Sequence, residues 1–184
     1  MTDAILRTEN LEKSFGKLDY TMLRLGGDGR AFDTIACAGV NGSLPHAIPG
    51  DHVVQEGELL TLDFGATYGG YCADMTRTVA FGRISDELHD IYDTVLKAQL
   101  MSLDMVGPGV VCRDVDRCAR DYLDSKYPGA FGHSLGHGVG LFIDEQPGLN
   151  MRDERKLVPG HIVTVEPGVY LPGIGGCRIE DTVA

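Results

Sequence analysis

Basic residues are scarce in this chain. Sixteen Lys and Arg stand against 27 Asp and Glu, a formal net charge of −11. Phosphate backbones are bound through clustered Lys and Arg, so this balance argues against nucleic acid as a partner. Long apolar runs are also missing. None approaches the roughly 18 residues of a membrane span, and the N-terminal "MTDAILRTENLEKSFG" is too polar for the apolar segment of a secretion signal. No membrane partner is expected, and a cytoplasmic location is the default expectation. Cysteine is thinly spread: Cys37, Cys72, Cys112, Cys118 and Cys177 form no CxxC pair and are odd in number. That excludes a zinc knuckle and a full disulfide framework, leaving reduced, mostly buried thiols. No low-complexity segment or linker divides the 184 residues, 43% of them hydrophobic, which suits one globular domain over 1–184 with a sizeable core.

Periodicity orders what is there. Leu11, Phe15, Leu18, Met22 and Leu25 recur at spacings of three and four, predicting a helix over 9–25 that closes at Gly26-Gly27. "FDTIACAG" (32–39), "ELLTLDFG" (58–65) and a return run from Tyr71 to about Ala80 read as strands. Ser85 precedes a long helical pattern through Ile91, Val95, Ala98 and Leu100 to Leu103, which ends at "GPG". A further helix from about Val111 to Tyr127 turns Val115, Cys118, Ala119 and Tyr122 inward and stops at Pro128-Gly129. Short apolar runs punctuated by glycine follow. Helix, sheet, two helices, sheet is the order of an α+β fold rather than of a parallel sheet.

Within "TLDFGATYGGYCADMTRT" (61–78), two carboxylates face each other. A two-residue loop at Tyr68-Gly69 sets Asp63 opposite Asp74, and sliding the loop to Gly69-Gly70 makes the pairing diagonal but keeps both on one face. At about 5 Å and an effective dielectric of about 20, the repulsion is roughly 3 kcal/mol. A shared proton, an arginine or a bound cation would relieve it. Arg77 starts on the other face of its strand.

Other segments add candidates. "GHSLGHGVG" places His133 and His137 on one face of an extended, glycine-rich segment. The spacing matches the zinc-protease HExxH, but Ser134 stands where glutamate is required and glycine rules out the helix. Glu166 ends the apolar strand "IVTVE", sharing a face with Thr164, and Glu180 sits likewise in "CRIEDT". Asp63, Asp74, His137, Glu166 and Glu180 together supply four carboxylates and one imidazole, which balances two divalent cations. A pair of ions about 3.5 to 4 Å apart can hold a hydroxide between them and polarise a carbonyl.

"SLPHAIPGD", "LLTLDFGATYGGYCADMTRTVAFG", "GHSLGHGVGL", "VTVEPGVY" and "CRIEDTVA", in this order, resemble the pita-bread metallopeptidase family that includes aminopeptidase P, prolidase and methionine aminopeptidase. The likeness runs from about Phe32 to the C-terminus. "LPH" with "DFG…DMTRT" is closer to the branch that cleaves before proline. The resemblance implies a creatinase/aminopeptidase-like fold, an antiparallel sheet with helices on its outer face. It implies that Asp63, Asp74, His137, Glu166 and Glu180 ligate two divalent ions, with Asp74 and Glu180 bridging. Manganese is preferred by ligand softness, with cobalt, iron and zinc as alternatives. By the same likeness a bridging water is the nucleophile, Glu166 accepts its proton, and His46 and His133 hold the substrate and stabilise the tetrahedral intermediate. Tyr170 and Arg178 align near the metals.

The expected activity is exopeptidase cleavage between an N-terminal residue and proline. Methionine removal, or a non-catalytic relative that binds peptide or protein, are the alternatives, and a homodimer is an allowed assembly. Three features depart from the family. Seven residues beyond His137 the family places a histidine in "HExP", where this chain has Asp144 in "DEQP", a change expected to slow turnover at a substrate-binding position. The chain stops four residues after Glu180. Less helix precedes the sheet than in the family, and a separate N-terminal domain, usual in the prolyl branch, is not expected within 1–184. An incomplete catalytic domain cut short at both ends, or a shortened relative of the family, is expected.

Overall fold

Ser85 caps the longest helix as its sequence predicts: its hydroxyl accepts the Leu88 amide at 3.2 Å and Asp86 and Glu87 fill the first turn. The computed structural model describes residues 12–48 and 52–184. Three α-helices occur among them, α1 (Glu12–Arg24), α2 (Asp86–Met105) and α3 (Cys112–Lys126), besides a 3-10 turn at Gly39–Ser43. Residues 9–11 of the expected first helix, and Pro49 to Asp51 of the "SLPHAIPGD" segment, lie outside the described residues.

Short antiparallel strands make up the rest. β1 (Gly29–Arg30), β2 (Ile35–Ala38), β3 (Glu58–Phe64), β4 (Ala66–Tyr68), β5 (Tyr71–Cys72) and β6 (Met75–Phe81) precede the helix pair. After it come β7 (Gly136–Gly138), β8 (Glu145–Leu149), β9 (Val163–Val165), β10 (Gly168–Leu171), β11 (Gly175–Arg178) and β12 (Asp181–Val183). They hydrogen-bond in the orders β2-β3-β6, β12-β9-β7-β8, β10-β11 and β1-β4-β5. Among the described residues no helix is long and apolar enough to cross a membrane.

Helices α2 and α3 cover one side of this sheet system. Ile91, Val95 and Ala98 of α2 and Val115, Ala119 and Leu123 of α3 are fully buried against Leu59, Val163, Val165, Val169 and Cys177 of the strands. Truncating one such Leu or Ile to Ala typically costs about 2–5 kcal/mol. Leu100, expected inward, is 52% exposed, since four consecutive residues of a helix cannot share one face. Cys118 and Tyr122 are half-buried, while Leu123 and Asp116, which the sequence reading passed over, are completely buried. The five cysteines are unpaired; Cys37, Cys112 and Cys177 are buried.

The hairpin of the paired aspartates takes the later of the two registers. Thr67 pairs with Cys72 and Tyr68 with Tyr71, so the loop is Gly69-Gly70, and Asp63 lies opposite Thr76 with Asp74 on the diagonal. Both loop residues have positive φ, +57° and +85°, which the loop at Tyr68-Gly69 would have demanded of a tyrosine. β3 is enclosed on both sides. Leu60 packs with Ala38 and Val54 on one face, while Leu59 joins the helical core. Asp63 is buried at the end of the Leu59 face and meets Arg178 of β11.

Candidate active site

Four separate segments deliver the candidate ligands to one place. Asp74 lies in the two-residue break between β5 and β6, and Glu180 in the gap between β11 and β12, bonded through its amide to the Thr76 carbonyl at 3.2 Å. His137 is central in β7 and Glu166 follows β9. These last two meet because Gly136 lets the backbones touch: a Cβ built there would lie 1.9 Å from the Thr164 carbonyl oxygen. Asp74, His137 and Glu180 each offer a donor atom within 4.8 Å of the others. His137 Nε2 is 3.5 Å from Asp74 Oδ2 and 3.4 Å from Glu166 Oε1.

The fifth candidate is held differently. Asp63 Oδ2 accepts Arg178 Nη2 at 2.6 Å, so an arginine answers part of the repulsion between the aspartates. It is Arg178 rather than Arg77. Arg77 instead bonds Asp181 at 2.6 Å and the Glu180 carbonyl, fixing the start of β12.

The donor set fits a cation on three observations. Among the described residues Asp63 Oδ1 and Glu180 Oε1 are buried without a hydrogen-bond partner. The Nδ1 of His137 lies 3.0 Å from the Gly138 carbonyl, which only accepts, so Nδ1 carries a proton and Nε2 is the ring atom turned toward two carboxylates. That is the orientation of a metal-binding histidine. Burial first, and then the neighbouring carboxylates, push Glu180 well above the usual carboxylate range. Asp74 is raised to about 7 by burial and by Asp63, and Glu166 to about 7 by burial, with Asp74 and Asp63 adding to it against His137 and Arg178. Such a cluster holds protons until a cation displaces them.

A second chain of contacts runs beside the first. Arg178, 3% exposed, donates to the Pro45 carbonyl at 2.9 Å and to the Tyr170 hydroxyl at 3.0 Å. Pro45 precedes His46, an exposed residue, so Arg178 fixes the backbone that presents that imidazole. The Tyr170 hydroxyl is in turn 2.8 Å from His133 Nε2, while His133 Nδ1 is 2.8 Å from the Ser134 carbonyl. Nδ1 therefore carries the proton and Nε2 accepts from Tyr170. Burial lowers His133 to about 4, so it is neutral at neutral pH. Asp144 is exposed in the loop between β7 and β8.

Two hydroxyls that support these groups escaped the sequence reading. Thr76 Oγ1 donates to Glu180 Oε2 at 2.7 Å and accepts Arg178 Nε at 3.2 Å. Thr164 Oγ1 donates to Glu166 Oε1 at 3.1 Å and accepts the His137 amide at 3.0 Å. Each stands two residues from a ligand on the same strand face, a signal that the period of two carried.

Cys72 lies two residues before Asp74, but its sulfur contacts the Leu141 carbonyl at 3.8 Å, and burial, with Glu145 and Asp74 adding to it, raises the thiol. Cys72→Ser is expected to leave bound metal unchanged, measured by elemental analysis after reconstitution. Loss of an ion would mark the sulfur as a ligand.

Known proteins share both sequence and architecture. The profile of Metallopeptidase family M24 matches residues 7–184. An uncharacterised peptidase of Bacillus subtilis (strain 168) is 46% identical over 168 residues, 91% of this chain and 48% of that protein. An Xaa-Pro dipeptidase of Pyrococcus horikoshii is 40% identical over 168 residues, again 91% of this chain and 48% of that protein. The crystal structure of an X-Pro aminopeptidase from Thermotoga maritima MSB8 superimposes with a TM-score of 0.90 at 43% identity, covering 94% of this chain and 49% of that one. The α+β, pita-bread architecture expected from the motifs is thus borne out. The chain spans about half the length of the curated relatives it matches. With its match over nearly all of its length, the chain belongs to Metallopeptidase family M24.

Proposed function

We propose that this chain carries the catalytic centre of a divalent-metal-dependent exopeptidase that hydrolyses the bond between an N-terminal residue and proline. The observation that carries the reading is the convergence of Asp74, His137 and Glu180 within 4.8 Å, with Glu166 beside them and buried carboxylate oxygens that find no partner among the described residues. The names of the similar dipeptidase and aminopeptidase supply the substrate class.

Asp63, Asp74, His137, Glu166 and Glu180 would hold two divalent ions, manganese by preference for carboxylate-rich donors. When bound, such ions lower the pKa of water and polarise the scissile carbonyl. Glu166 would accept the proton of the attacking water at its carboxylate. Thr164 holds Oε1 of that carboxylate in place. His133 positions substrate through a ring whose tautomer is set by Ser134 and Tyr170, and His46 reaches it from the segment that Arg178 anchors. Arg178 also orients Asp63 through its 2.6 Å bond to Oδ2.

Cleavage of an Xaa-Pro peptide and of a Met-initiated peptide lacking proline, measured beside metal content after manganese reconstitution, tests the reading. Metal-dependent release of the residue before proline is the expected result. Preference for the Met peptide would move the chain to the methionine branch, and metal binding without cleavage to a binding role.

Asp144 carries a separate expectation. A carboxylate only accepts hydrogen bonds and adds negative charge where the carbonyl oxygen gains it, whereas an imidazole can donate. Loss of one donor of this kind typically costs about 3 kcal/mol in the transition state. Because Asp144 is exposed, a smaller gain, about tenfold in kcat, is expected of Asp144→His, with metal content unchanged. Equal rates for fully metallated parent and variant would remove Asp144 from the substrate site.

A further inference from the structure

We infer that the Asp116–Arg120 ion pair of α3 is the positioning device for His133, holding the backbone that presents its ring to the active site. The inference rests on the peptidase reading above and concerns residues outside the candidate ligand set.

Asp116 is completely buried, an unusual place for a carboxylate in the middle of a helix. Arg120, one turn on, meets it through two bonds, Nε to Oδ2 at 2.8 Å and Nη2 to Oδ1 at 3.0 Å. The pair then spends its remaining valences on one segment. Arg120 Nη1 donates to the Phe131 carbonyl at 3.0 Å and Nη2 to the His133 carbonyl at 2.7 Å. Asp116 Oδ1 accepts the Leu135 amide at 2.9 Å. Alternate residues 131, 133 and 135 are thus all fixed from α3, and the Leu135 carbonyl passes the constraint on by accepting the Glu166 amide at 2.8 Å.

Side-chain packing repeats the arrangement. The Arg120 guanidinium sits 4.4 Å from the centre of the Phe131 ring, and that ring meets the His133 ring edge-on, 4.9 Å between centres at 79°. His133 is therefore held from behind by Arg120 and Phe131 and in front by Tyr170. A lysine cannot reproduce this, because a single ammonium lacks the planar fork that serves one carboxylate and two carbonyls together. A hydrophobic substitute would leave the Phe131 and His133 carbonyls and the Leu135 amide without these partners. An ion pair whose bonds beyond itself all end on the backbone of one segment is suited to fixing geometry.

The test compares Arg120→Gln and the milder Arg120→Lys with Val95→Ala, a core truncation on α2 outside this network, all reconstituted with metal. Arg120→Gln is expected to lower kcat on an Xaa-Pro peptide about ten- to a hundredfold with KM little changed, as for a misplaced group, and Arg120→Lys to recover part of the loss. Nitrogen NMR of the zinc-loaded protein reads the second signature. The parent shows the His133 ring as a single Nδ1–H tautomer, and Arg120→Gln shows a mixture. A variant that keeps the single tautomer and loses no more kcat than Val95→Ala overturns the inference. Should Arg120→Gln fail to fold, Arg120→Lys carries the same two readouts. An inactive parent would overturn the peptidase reading alone, and the tautomer comparison would then decide the positioning role by itself.

Discussion

Asp74→Asn is expected to weaken divalent-metal binding by at least about a hundredfold, more than the usual loss from disturbing a group behind a ligand, and to abolish metal-dependent cleavage in proportion. The same substitution is expected to stabilise the metal-free protein at pH 8. The sign follows from linkage. Asp74 and Glu166 both titrate near 7 in the folded chain, raised mainly by burial, whereas their unfolded values lie near 4. Between those limits the unfolded chain binds fewer protons than the folded one, so metal-free stability falls as pH rises through that window and levels above it. For Asp74 the loss is about 2–4 kcal/mol. An amide at position 74 carries no charge to bury. The metal-free variant should therefore melt above the metal-free parent at pH 8 and near it at pH 4, followed by calorimetry, while metal-loaded parent exceeds metal-loaded variant. Equal metal content in both proteins, or a metal-free variant that melts lower at pH 8, would remove Asp74 from the ligand set.

Arg178→Ala is expected to be the most destabilising single change at the site. The guanidinium links β11 to Asp63, Tyr170, Thr76 and the Pro45 carbonyl, with only 4% of its side chain exposed. Its removal leaves the Asp63 carboxylate uncompensated beside Asp74, and breaking a buried pair in this way costs about 3–5 kcal/mol. For a chain of this size that is a fall in Tm of roughly 10 °C. Bound divalent ions replace the missing positive charge, so the fall should shrink when manganese is added to saturation. Activity should stay low even then, because the Pro45 and Tyr170 contacts that orient His46 and His133 are lost. Thermal scans with and without metal check both points. An Arg178→Ala protein that melts with the parent in the metal-free state would show that Asp63 finds another partner.

What the sequence by itself determined was local. Its periods of 3.6 and 2 placed the helices and main strands within a few residues, put Asp63 and Asp74 on one face, and separated Thr164 and Glu166 from Val163 and Val165. Ordered motifs led to the family, because a metal centre built from five donors constrains residue types at fixed strand positions. Tertiary structure decided how distant segments close on one another. The later hairpin register came from the positive φ that only Gly69 and Gly70 accept without strain, a choice between two registers that preserve the same face. The partner of Asp63 is 115 residues away in Arg178, and Thr76 reaches Glu180 across 104 residues. Neither separation leaves a trace in local periodicity. In the sequence Asp116 is one more acidic residue of a helical segment, and its burial appears only once the chain between Phe131 and Leu135 folds back over α3 and offers two carbonyls and an amide to the ion pair. Side-chain period fixes which way a residue faces, whereas the packing of whole elements fixes what it meets there.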